Sequence, residues 1–93
     1  MNYNMQKINS FGVSLRKNGH YNEAISFFDK ALEINKNDEH LHFNMARVYF
    51  DKGEVDKCLA CLRSAVSING DFNEARQFIS YCERKMVDSR SQA

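Results

Sequence analysis

Proline is absent from this 93-residue chain, and only four glycines interrupt it: Gly12, Gly19, Gly53 and Gly70. Few points can therefore stop a helix, since these two residue types are its strongest breakers. A dominant charge is also missing, with 13 basic residues against 12 acidic ones, a formal +1. That balance argues against a dedicated binder of nucleic acid or anionic membranes, which carries a strong basic excess. No apolar run approaches the ~20 residues of a membrane span. The opening "MNYNMQKINS" has no apolar core of a signal peptide, so a cytoplasmic location is expected. Three cysteines, an odd number, do not suggest a disulfide framework and fit a reducing compartment.

A constellation for chemistry is lacking as well. The chain shows no Ser-His-Asp arrangement, no glycine-rich phosphate loop and no carboxylates paired at catalytic spacing. His40 and His42 are two residues apart, which on a helix points them in different directions; a shared metal needs an i, i+4 pair. A non-catalytic protein without metal or cofactor is expected. Its 43% hydrophobic and 27% charged residues describe one soluble globular domain with a modest core.

What is present is helical periodicity. Ile8, Phe11 and Leu15 recur at helical spacing between Met5 and Lys17, and "KNG" then supplies a stop. A wide apolar stripe follows from Tyr21 to Ile34. The polar break "NKND", residues 35–38, offers good N-cap residues for a third helix over Glu39 to Lys52, which Gly53 ends. The fourth runs from Val55 to Ile68. After Gly70, Asp71 and Glu74 have the spacing of a capping box, and a fifth helix carries Ala75, Phe78, Ile79, Cys82 and Met86 to about Val87. The expected fold class is all-α, five helices in consecutive antiparallel hairpins.

The chain also resembles itself. A shift of 34 residues, from Gly19 to Gly53, places Ala31 on Ala65, Ile34 on Ile68 and Asn35 on Asn69. Ala24, Ile25, Phe27, Phe28 and Leu32 meet Cys58, Leu59, Cys61, Leu62 and Val66, apolar on apolar throughout. With Gly12, Gly19, Tyr21, Ala24, Phe28 and Ala31 in the first copy and Ala46, Tyr49, Gly53 and Ala65 in the second, the sequence resembles the tetratricopeptide repeat. It departs at Val55, where the family has Tyr, at Cys58, where it has Ala, and at Lys36 and Gly70, where it usually has proline. The resemblance implies a right-handed superhelical stack. Its parts would be an N-terminal extension at 1–4, repeats at 5–38 and 39–72, a capping helix at 73–88 and a disordered tail at 89–93.

This alignment interprets "CLAC", residues 58–61. Cys58 takes the small-residue slot of Ala24 and Cys61 the apolar slot of Phe27, so both read as packing. Cys58 lies a turn inside its helix, away from the N-terminal dipole that activates redox thiols. One Cys-x-x-Cys pair plus distant Cys82 is also short of a four-ligand zinc site.

Function would then sit in the groove that the family lines with the first helix of each pair, where peptide segments of partner proteins bind. Carried onto this chain, that face presents Gln6, Asn9, Val13 and Arg16, then His40, Phe43, Asn44, Arg47 and Phe50, then Glu74, Gln77, Tyr81 and Arg84. Phe43, Arg47 and Phe50 form an i, i+4, i+7 line and are of the types that dominate hot spots. The same phenylalanines could instead pack on the first or fifth helix. Arg16 and Arg84 would make the groove mildly basic, favouring an apolar or aromatic ligand with an acidic group.

The clamp with which some members hold the acidic tails of heat-shock chaperones corresponds to Asn9, Val13, Asn44, Glu74 and Phe78. Only Asn44 agrees, so that ligand is not expected. The expected function is an adaptor or scaffold binding a partner peptide. The alternative is a homo-oligomerising module, such as a homodimer, using the aromatic stripe or the C-terminal helix.

Overall fold

The computed structural model describes residues 4–91, with side chains as far as Asp88. Residues 1–3 of the expected extension and 92–93 of the expected tail lie outside the described residues. Five helices make up the described residues: α1 (Met5–Lys17), α2 (Tyr21–Ile34), α3 (Glu39–Asp51), α4 (Val55–Ile68) and α5 (Asn73–Ser91). No strand occurs among them. The arrangement is the expected all-α stack of helical hairpins.

The two long-range copies end their first helices in the same way. Gly19 and Gly53 have φ of 81° and 82°, the left-handed region that side chains avoid. The His20 amide bonds the Leu15 carbonyl at 2.8 Å while Gly19 bonds Arg16 at 3.0 Å. Glu54 to Tyr49 and Gly53 to Phe50 repeat the pattern at 2.9 Å each. These are Schellman turns, which satisfy the last carbonyls and reverse the chain at once. Of the polar break at 35–38 it is Asp38 that caps α3, its Oδ1 accepting from the amides of His40 at 2.8 Å and Leu41 at 3.1 Å. A cap of this kind contributes about 1 kcal/mol.

Two expectations are corrected. Asp71 does not cap α5: Phe72 occupies the position before the helix, as Asp38 does before α3, and its ring packs at 5.0 Å from Phe43. That packing fixes how the chain enters α5. The helix also runs on to Ser91, beyond the boundary drawn at residue 88 and into the expected tail. The segment contains no glycine or proline to stop it.

The body measures 51 × 29 × 17 Å. Its thickness is under two helix diameters of ~10 Å each, so the core is a seam and not a ball. Ala24, Phe28 and Ala31 of α2 pack with Leu41, Met45 and Val48 of α3. Farther along, Ala46, Cys58, Leu59, Leu62, Ala65, Ala75 and Cys82 join α3, α4 and α5. Tyr49 and Cys61 touch both clusters. Gly12 is buried against the ring of Phe28, which leaves no room there for a Cβ.

Cys58 is fully buried like Ala24, and its Sγ lies 3.9 Å from that of Cys82. Burial pushes the Cys58 and Cys82 thiols up, and it pushes Cys61 up to about 11. Such thiols stay protonated and act as small apolar side chains. Among the described residues, no three His, Cys, Asp or Glu side chains converge on a metal position.

Candidate functional site

α1, α3 and α5 lie side by side along one face, while α2 and α4, the second helices of the two hairpins, pack behind them. Between α1 and α3 they leave an open depression of about 620 Å³. Asn9, Val13, His40 and Asn44, all expected on this face, line it together. At its floor the Asn44 amide donates to Asn9 Oδ1 at 2.6 Å, while the Asn9 amide donates to the Met5 carbonyl at 3.0 Å. Each asparagine therefore has a fixed orientation with capacity left, since an amide can take four hydrogen bonds. Ser10, Ser14 and Lys17 of α1 complete the wall. They were not singled out in the sequence, yet they follow from Gln6 and Asn9 by steps of three and four on one helix face.

Arg16 does not add free positive charge here. Its Nη1 donates to Asp51 Oδ2 at 2.8 Å, and its side chain is only 12% exposed. This ion pair ties the end of α1 to the end of α3. Lys17 is the exposed cation of the depression instead, and Asp38, which also lines it, is engaged in capping.

Between α3 and α5 the face is closed by rings. Phe43 meets Phe72 at 5.0 Å and Phe78 at 6.2 Å; Phe50 meets Phe78 at 5.2 Å and Tyr81 at 5.9 Å. His40 extends the row, 5.3 Å from Phe72. Tilted and edge-on rings at such separations are favourable pairs. Phe43 and Phe50 are thus half-buried against the fifth helix and its entry, whereas Arg47 between them is exposed. Of the α5 residues, Gln77, Tyr81 and Arg84 are exposed, and Lys85 Nζ sits 5.5 Å from the Tyr81 ring centre. Arg84 lines a separate shallow depression with Ser80, Glu83 and Val87, apart from the one between α1 and α3.

A family model of the tetratricopeptide repeat matches residues 15–80. DnaJ homolog subfamily C member 3 from Homo sapiens is 33% identical over 76 residues, which cover 82% of this chain and 15% of that protein. The chain belongs to the tetratricopeptide repeat family. Membership points to a protein–protein interaction module, and repeats of this family are typically non-catalytic. No helix among the described residues is long and apolar enough to cross a membrane.

Proposed function

We propose that this chain is a non-catalytic adaptor that takes a peptide segment of a partner protein along the depression between α1 and α3. The observation that carries this reading is the Asn9–Asn44 pair on the floor of an open, partly polar depression. Amide side chains held in place can bond a peptide backbone without first losing conformational freedom. Val13 and Met5 offer apolar contact, and exposed Lys17 offers a charge partner at one end. The ligand is an extended segment with an apolar or aromatic residue and an acidic group, the latter meeting Lys17 or Arg47 and not the neutralised Arg16. Arg47, Gln77, Tyr81 and Arg84 are an outlying surface that a longer segment would cross. Association of copies through the aromatic stripe is disfavoured, because Phe43 and Phe50 already face α5. The three free thiols suit a reducing, cytoplasmic setting.

The test is a selection from a displayed random-peptide library on the intact chain. Selected peptides should share an acidic residue next to an apolar one, and should lose binding to Asn9→Ala/Asn44→Ala while still binding Arg76→Glu on the outer surface. Peptides indifferent to the double substitution would remove the depression as the site.

A further inference from the structure

The internal repeat exposes a surface that neither the groove nor the core explains. Met45 of α3 is 5% exposed, packed in the cluster built on Ala24, Phe28 and Ala31 of α2. Its counterpart 34 residues earlier is Phe11, which is 55% exposed. Tyr49 and Cys61 also contact that cluster, and their counterparts are Leu15 and Phe27. Phe11 and Phe27 pack on each other, ring centres 4.8 Å apart, beside an open furrow of about 440 Å³ between α1 and α2. The first repeat therefore presents the furrow that, in the second, receives a helix.

The charges beside this furrow are self-complementary. Glu23 and Lys30 both line it, two helical turns apart on α2, with Ser26 and Phe27 midway between them. Two α2 helices crossing antiparallel at Ser26 and Phe27 would set each Glu23 opposite the partner's Lys30, twice over. Among the described residues Lys30 has no ion pair, and the side chain beside the Glu23 carboxylate is the His20 ring, 3.5 Å away. A patch that is apolar at its centre and carries opposite charges at equal distances on either side suits an isologous contact. We propose that this end of the stack is a homodimer interface, in which the Phe11–Phe27 surface of one chain covers that of a second copy across a two-fold axis. Its small apolar centre makes the dimer weak and concentration-dependent. This surface is distinct from the depression between α1 and α3, so the two can fail separately.

Sedimentation equilibrium of the full chain, up to roughly millimolar concentration, should show a species of twice the 10.8 kDa chain mass. Glu23→Lys and Lys30→Glu are exposed changes, and circular dichroism should show that helicity is kept. Each alone should weaken the dimer about tenfold, because both cross-axis pairs become repulsive. Mixing the two variants should restore it as a heterodimer, since every pair is then attractive. A wild type that stays monomeric overturns the proposal and leaves the furrow to a helix of another polypeptide. So does a dimer that ignores the charge reversals, or one that mixing does not restore.

Discussion

Between α1 and α3 the chain leaves a depression floored by two asparagines bonded to each other, whereas between α3 and α5 five rings, from Phe72 to Tyr81, close the same face. Both gaps lie one repeat apart and have similar helices behind them. The difference is in what α1 and α5 bring to the shared helix. α1 contributes Asn9, Ser10 and Ser14, too short and too polar to fill the gap, while α5 contributes Phe78 and Tyr81. A gap filled by rings contributes to stability; a gap left open with oriented amides is available for a ligand. Helix spacing alone does not decide between the two, and side-chain size and polarity do.

The contrast can be broken most forcefully from the closed side. Phe78→Ala removes the ring between Phe43 and Phe50 and should destabilise the chain by about 2–3 kcal/mol, less than for a fully buried phenylalanine. Urea unfolding reads this, and a loss below about 0.5 kcal/mol would mean that the row is surface decoration. The open side should respond in the opposite way. Asn9→Ala/Asn44→Ala should lower affinity for a selected peptide about tenfold while leaving the unfolding midpoint nearly unchanged. A large fall in stability instead would make the pair structural.

A smaller effect separates the two halves by charge. Arg16 and Asp51 brace the open side, and a double-mutant cycle of Arg16→Ala with Asp51→Ala should give a coupling of about 1 kcal/mol. Zero coupling would show that the ion pair does not hold α1 to α3. The smallest effect concerns the thiols around α4. The folded chain holds the Cys61 proton up to about pH 11, against 9.0 ordinarily, and burial raises Cys58 and Cys82 as well. Protons are therefore bound more tightly in the folded state. The stability they confer is intact below the ordinary thiol range and declines as pH rises from there through the folded values. Denaturation at stepped alkaline pH reads the slope, which Cys61→Ala should reduce.

The helices were legible in the sequence because their signals are local. Met5–Lys17, Tyr21–Ile34 and Val55–Ile68 follow from apolar spacing and from glycines at turns, and Gly19 and Gly53 sit where the left-handed turn needs them. The face carrying Asn9, Val13, His40 and Asn44 followed from the family resemblance. What lay out of reach was the partner of each side chain. The line Phe43, Arg47, Phe50 is real as a helix face, but spacing does not say that Phe72, Phe78 and Tyr81 stand opposite it. Arg16 looked like a free cation because its partner, Asp51, lies 35 residues away. Asp71 had the spacing of a capping box, and tertiary packing of Phe72 overrode it. Local pattern names the face; only the fold names what meets it.

The sharing of Tyr49 and Cys61 by the two core clusters has a consequence for how the molecule comes apart. In a linear array each unit is held by its neighbours, and cooperativity depends on the strength of the joint between them. Here that joint includes one tyrosine ring and one thiol. Shrinking them to alanine and serine should split a single melting transition into two. The amides of α1 and α2 would then exchange with solvent ahead of those of α4, turning one folding unit into two that happen to share a chain.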